Sequence, residues 1–320
     1  MRSPADTASP APRVASLLPA ATEIVCALGA GATLVGISHA CEVPPELAGL
    51  PRLTRSRLRA PASGDAVARE AESLLAEALA PYEVDVAALR AVAPELILTQ
   101  DLCAVCAVAR EQVEAAAHAA LGARARVLSL QPRRLAEVLA GIREVAALLH
   151  AEPAARSLLE ILDARIQRVR GRTIRLTPRR VLVLEWLEPL LAGGLWTPEL
   201  IELAGGRPVA GTPGGHAPAL GPDDLARLDP EVVVVVPCGF SLAQARAEWL
   251  RVRARILAQP WAALRSGAVH IVDGNAYFNR PGPRLVDSLE ILACCVHPAA
   301  FPDLAERRAA GFARAPLGPG

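Results

Sequence analysis

Aromatic residues are scarce in this sequence: four Trp, two Tyr and four Phe in 320 residues, although just over half of the chain is apolar. An apolar content built on Ala, Leu and Val, with so few large rings, argues against a sandwich held by aromatic packing and for helices laid on sheet. An excess of either charge is also missing. Lys and Arg number 34 against 33 Asp and Glu, which leaves no long-range field to capture nucleic acid or an anionic membrane. Nucleic acid is therefore not an expected partner. No window reaches roughly eighteen consecutive apolar residues, so no membrane span is expected. The opening MRSPADTASPAPR lacks the apolar core of a secretory signal. As written, the chain is expected to stay in the cytoplasm; with a misassigned start it would be periplasmic or extracellular. Seven cysteines, an odd number, suit a reducing compartment better than a disulfide framework.

Several catalytic signatures are absent as well. No G-x-S-x-G, Walker or dinucleotide fingerprint follows an apolar run, and no H-E-x-x-H is present. A nucleophile with its base is not identifiable, and a non-catalytic protein is expected.

What the chain does carry is alternation. RVASLLP has the pattern of a buried strand and ATEIVCALGA that of a helix stopped at Gly29 and Gly31. Further strands are predicted at 33–38, 95–100 and 127–130, with residues 65–92 helical and interrupted at Pro81. A helical period runs for almost forty residues from LAEVLAGIREVAALLH through AARSLLEILDARIQRVRGR, broken only around Ala151 to Pro153. A second series follows: strands at 180–186, 232–238 and 269–274, helices at 198–204 and 244–257, and a last helix at 283–297. The pattern predicts an α/β protein of two Rossmann-like lobes with mostly parallel sheets, joined by a long rigid helix. The expected boundaries are a tail at 1–11, an N-terminal lobe at 12–132, a bridging helical segment at 133–172, a C-terminal lobe at 173–297 and a loose tail at 298–320.

Open parallel sheets bind ligands beyond the carboxyl ends of their strands, where loops leave a crevice and helix amino termini face it. The first strand delivers Pro19, Ala20 and Ala21, the second His39 and Cys41, and the third Asp101, Cys103 and, three residues on, Cys106. In the second half the strand ends carry Glu185 and Trp186, then Cys238 and Phe240, then Asn275, Tyr277 and Phe278. Topology would direct these groups into one groove. His39, Cys41, Cys103, Cys106 and Cys238 form a candidate soft-metal set for zinc or iron, since thiolates and imidazole are the ligands such ions select. A redox pair at Cys103 and Cys106, or plain structural thiols, remain alternatives. Cys26, Cys294 and Cys295 fall in apolar helical patterns and are assigned to the core.

Several segments together resemble one family. RVASLLPAATEIVCALGAGATLVGISHACEVPP is similar to the opening of the cobalamin-binding periplasmic binding proteins, class III substrate-binding proteins of ABC importers. VAPELILTQ, VLVLEWLEPLLAGG with ELIELAGG, and NAYFNRPGPRL continue the likeness over about residues 12–297. The missing signal sequence and the HAC, DLCAVC and PCGF groups place the resemblance with a soluble, non-exported subgroup. The resemblance implies a non-catalytic binding protein that holds a corrinoid, or a related metal chelate, in the cleft between two lobes. It serves either ABC-type uptake, with a permease as partner, or carriage within the cell. Trp186, Phe240, Tyr277 and Phe278 would supply apolar walls for a flat macrocycle. Pro19, Ala20 and Ala21 would line the cleft floor, Arg280 and Arg284 its edge, and His39 or a cysteine would approach the central metal. The alternative is a cytoplasmic metal-binding protein or metalloenzyme that uses the Cys and His groups.

Overall fold

Val14, Ala15 and Ser16 have no exposed surface, which a strand achieves in the middle of a parallel sheet covered on both faces. The structure is a computed structural model that describes residues 10–58, 63–76, 82–100 and 110–318. Its first elements are β1 (Val14–Ser16), α1 (Pro19–Ala27), β2 (Leu34–Ile37), β3 (Thr54–Ser56), α2 (Gly64–Ala76) and β4 (Tyr82–Val84). Next come α3 (Val86–Val92), β5 (Leu96–Gln100), α4 (Arg110–Leu121), β6 (Arg126–Leu130), α5 (Leu135–Leu148) and α6 (Glu152–Thr173). Then follow β7 (Arg179–Leu187), β8 (Leu190–Ala192), α7 (Thr197–Leu203), β9 (Gly206–Pro208), α8 (Pro222–Arg227) and β10 (Val232–Val235). The chain closes with α9 (Leu242–Leu257), α10 (Ala262–Ser266), β11 (Val269–Val272), α11 (Leu285–Val296), α12 (Pro302–Arg308) and β12 (Phe312–Arg314).

Two compact units emerge. The first comprises Met1–Arg57, Tyr82–Gln131 and Gly141–Leu158; the second Leu58–Pro81, Pro132–Ala140 and Leu159–Gly320. In the first unit the sheet order is β2-β1-β5-β6, all parallel, with Val14 beside both Leu34 and Leu96. Helix α1 starts where Pro19 brings a preset φ at its first turn, and it is stopped by Gly29 at φ 71°, a left-handed position that glycine adopts without cost. In the second unit the sheet order is β12-β11-β10-β7-β8, with β9 added along β7. Its centre is parallel, and its edges β8 and β12 run antiparallel. Val232–Val235 are wholly buried, and Trp249 and Trp261 fill the helical layer against them. Each fully buried side chain of this size stabilises the fold by about 1.5–3 kcal/mol relative to exposure.

The α/β class and the alternation agree with the sequence, and the details can be compared. Residues 65–92 do not form one interrupted helix, because Tyr82–Val84 pair antiparallel with Thr54–Ser56 and backbone pairing overrides local propensity. The stretch at 133–172 folds as two helices divided at residues 149–151, where His150 sits at φ 54°, next to the break expected around Ala151–Pro153. The division between the two units passes through both helices, and the described residues 63–76 fall in the second unit. The tail at 298–320 is not loose over its described part. Phe301 is wholly buried, Arg172 lies over its ring at 5.4 Å, and β12 extends the sheet through β11. Closing an exposed sheet edge and burying a ring outweigh the Pro and Gly content of the segment.

Candidate functional site

In the second unit, three strand ends are tied to one another by backbone hydrogen bonds. After β10 the chain turns through Pro237, Cys238, Gly239 and Phe240. Cys238 N donates to Glu185 O at 3.1 Å, beyond the middle of β7, and Gly239 N donates to Gly274 O at 3.3 Å, beyond β11. Asn275 N donates to Phe240 O at 3.0 Å. Gly274 permits this approach, since a Cβ there would stand 1.9 Å from Pro237 O. Asp273 organises the third end: Oδ1 accepts from Asn275 N at 3.0 Å and from Ala276 N at 2.8 Å, an Asx-type turn. Glu185, Trp186, Cys238, Phe240, Asn275 and Tyr277 are thus carried on one set of mutually braced loops.

Their side chains divide by role. Trp186 is half-buried, its Nε1 donates to Glu188 O at 2.9 Å, and its ring meets Phe240 edge-on at 5.4 Å. Phe240 is buried in the core of the unit and supports Trp186 from beneath. Glu185 Oε2 accepts from Gly194 N at 3.0 Å, which fastens the loop after β8. Arg280, only 6% exposed, donates to Asn275 Oδ1 at 3.0 Å and so holds the amide in place. Tyr277 is half-buried against Gly311, where a Cβ would reach within 2.7 Å of its ring. Phe278 corrects the expectation made for it. It sits at φ 66° and is 2% exposed, its N–H donates to Ser288 Oγ and its carbonyl accepts from Trp196 Nε1, so its ring is core rather than wall. Phe240 is corrected in the same way, and the exposed aromatic surface narrows to Trp186 and Tyr277.

In the first unit, Ala20 and Ala21 are 2% and 0% exposed. They pack inward from α1 and present no floor; Pro19 alone of the three is half-exposed. Cys41 is buried, and its Sγ lies 3.0 Å from Thr22 Oγ1, which in turn reaches Ser16 Oγ at 2.8 Å. His39 stands at the exposed end of the same segment. Its backbone N–H and its Nδ1 both meet Thr54 Oγ1, at 3.0 and 2.8 Å, and its ring tilts over Tyr82 at 5.5 Å. Desolvation of the ring, and then the Arg52 guanidinium, hold its pKa below the ordinary histidine value.

The proposed soft-metal set does not assemble among the described residues. No group of three or more His, Cys, Asp or Glu there is placed to hold a metal ion. Cys41 belongs to the first unit with its sulfur turned to Thr22, and Cys238 belongs to the second. Cys103 and Cys106 lie outside the described residues. The helical thiols are inert: burial pushes Cys294 up to about 12 and Cys295 well above the ordinary thiol value. Thr54, Tyr82, Asp273 and Glu248 were not singled out from sequence. Only Asp273 carried a signal, the Asp-Gly-Asn turn after an apolar run.

Residues 14–273 match the family of periplasmic binding proteins. No curated protein matches the chain. Among solved structures, similar folds include a periplasmic heme binding protein from Pseudomonas aeruginosa, 20% identical, with 90% of this chain and 94% of that chain covered and a TM-score of 0.67. The periplasmic vitamin B12 binding protein of Vibrio cholerae is 19% identical over 90% of this chain and 98% of its own, with a TM-score of 0.64. A periplasmic heme-binding protein from Roseiflexus sp. RS-1 is 22% identical over 90% and 98%, with a TM-score of 0.65.

Proposed function

The chain belongs to the periplasmic binding protein family, a family of non-catalytic solute-binding proteins, and we propose that its solute is a metal-centred macrocycle of the heme or corrinoid class. The observation that carries this is the Trp186 indole, half-exposed and braced edge-on by Phe240. The same braced strand ends also carry the carboxylate of Glu185, the amide of Asn275 held by Arg280, and the Tyr277 ring. A flat macrocycle with polar substituents needs this combination: an apolar face for the ring system and a few preset polar groups for its rim. The vitamin B12 and heme binding named for two of the similar structures is consistent with it.

Binding requires no chemistry. Burial of macrocycle surface on Trp186 supplies affinity, and Asn275 and Glu185 orient the rim because their own positions are already paid for by hydrogen bonds within the fold. An ABC-type permease is the partner implied by this role; a permease and ATPase gene pair beside the gene for this protein is the observation that tests it.

Absorbance tests the binding directly. Protein mixed with ferric heme or with cobalamin and passed through gel filtration should retain a visible spectrum in the protein fraction. Elution of colourless protein in both cases rejects the proposal.

A further inference from the structure

Helix α1 stacks Thr22 and Cys26 one turn apart on the same face, since residues four positions apart on a helix are neighbours. Cys41 meets that face. Its Sγ lies 3.0 Å from Thr22 Oγ1, although the two residues are 19 positions apart in sequence. The Cys26 sulfur is turned the same way: a Cβ placed on Gly31 would stand 4.0 Å from Cys26 Sγ and 3.3 Å from Leu47 Cδ1, so Cys26 faces the segment that runs from Gly31 through Cys41 to Leu47. Both residues are thiols in this structure. Among the described residues they are the two cysteines of the first unit; Cys238, Cys294 and Cys295 lie in the second.

The backbone behind each thiol is fixed. Cys41 N donates to Ser38 O at 3.1 Å, and Arg52 Nη1 donates to Ser38 O at 2.9 Å and to Cys41 O at 2.8 Å. On the other side Thr22 Oγ1 reaches Ser16 Oγ at 2.8 Å, which fastens α1 to β1. Two groups presented at adjoining places from rigid elements react as if at high concentration. Exposure separates their parts. Cys26 is half-buried and Cys41 is 4% exposed, so a small oxidant meets Cys26 first. Burial first, then the neighbouring Cys41 sulfur and the carboxylates of Glu23 and Glu46, push the Cys26 thiol up. Thiolate is therefore scarce, and the pair stays reduced until oxidant is abundant.

We propose that Cys26 and Cys41 form a peroxide-driven disulfide that ties α1 to the turn carrying His39. The Cys26 thiolate attacks a peroxide oxygen, the O–O bond breaks, Cys26 becomes a sulfenic acid and one water leaves. The Cys41 thiolate then attacks the Cys26 sulfur; the S–S bond forms, the S–O bond breaks and a second water departs. In sum two thiols lose two electrons and two protons, and hydrogen peroxide is reduced to two waters. The bridge closes the loop from Cys26 to Cys41 and so restrains the unfolded chain. The inference is independent of the solute proposed above.

The experiment treats the full chain with hydrogen peroxide, then denatures it, alkylates it with iodoacetamide and digests it with trypsin. Residues 14–52 leave as one peptide that holds Cys26 and Cys41, and residues 91–110 as another that holds Cys103 and Cys106. In the mass spectrum the 14–52 peptide should have lost two hydrogens and taken up no alkyl group. Dithiothreitol before alkylation should restore both alkylation sites. Cys26→Ser and Cys41→Ser should each abolish the mass loss, with far-UV circular dichroism verifying that each is folded. Oxidised wild type should melt at a higher temperature than wild type kept reduced, a rise absent from both variants. The proposal is overturned by a 14–52 peptide from treated wild type that is alkylated at both cysteines, carries sulfinic or sulfonic acid at Cys26, or is joined to the 91–110 peptide. An equal rise in melting temperature in the two variants overturns the restraint assigned to the bridge. The peptide readings are made on wild type and do not depend on how a variant folds.

Discussion

Glu248 Oε1 accepts a hydrogen bond from the backbone N–H of Gly64 at 2.9 Å, joining positions 184 residues apart. The carboxylate is 4% exposed and is balanced by Arg251, which donates to both of its oxygens at 3.1 and 2.8 Å. Gly64 opens α2, so the carboxylate also faces the positive end of that helix, next to Trp186. This group ties the start of α2 to the unit that carries the candidate site.

Replacing Glu248 with Ala should therefore be costly for a contact that involves no core side chain. The Gly64 N–H loses its acceptor in a buried place and Arg251 loses a carboxylate, a penalty of about 1–3 kcal/mol. Equilibrium urea unfolding should show a lower midpoint, with Glu248→Gln losing less. An unchanged midpoint in both variants would show that the contact contributes nothing.

His270 ties stability to pH. Burial first, then Arg314 and Arg179, push its pKa down to about 4, and its Nδ1 has no hydrogen-bond partner among the described residues. In the unfolded chain it titrates near about 6.5. The folded state disfavours the proton, so the His270 contribution is complete above the unfolded value and is lost as pH falls towards 4. Over that window stability should drop by about 3 kcal/mol from this residue. Thermal unfolding followed from pH 7 to pH 4 should slope downwards, and His270→Phe should flatten the slope; an equal slope in the variant contradicts the assignment.

Glu290, nearly inaccessible on α11, is served by Arg165 of α6 and Arg308 of α12, and both arginines also reach Asp287. Burial alone would raise the Glu290 pKa, but the hydrogen bonds from Arg165 and Arg308 outweigh it and hold the value below normal. Removing Arg165 leaves two carboxylates to share Arg308 alone, at a cost of about 1–3 kcal/mol. Arg165→Met should lower the melting temperature sharply, whereas the double change Arg165→Met with Glu290→Met should recover part of the loss. Absence of any recovery would show that the two do not act as a pair.

Gly274→Ala tests whether the braced loops are needed for the site. The added methyl cannot occupy the space 1.9 Å from Pro237 O, so the loops after β10 and β11 must separate, at about 1–3 kcal/mol or more. Macrocycle affinity should fall with stability, and Trp186 fluorescence should shift as its Phe240 support moves. A variant with wild-type stability and fluorescence would show that the approach is not structurally required.

Fold class was legible because strands buried on both faces must be continuous apolar runs, as in Val232–Val235, and amphipathic helices must alternate with them. Short edge elements were not: β4, β8, β9 and β12 are each three residues long and exist because a neighbouring strand offers unpaired backbone groups. The candidate site was legible only as a set of strand ends. Pattern alone could not distinguish Trp186, with a half-exposed ring, from Phe278, seven residues before the start of α11 and turned inward at positive φ.

The sequence by itself determined the α/β class, the order of the main strands and helices, and the places where their carboxyl ends would deliver functional groups, since these follow from the period of apolar residues along the chain. Tertiary structure decided which of those groups face outward and what holds them. Thr54 lies fifteen positions from His39 and Glu248 lies 184 from Gly64. Such pairs arise from sheet register and packing, which place atoms in space through interactions that no local pattern encodes.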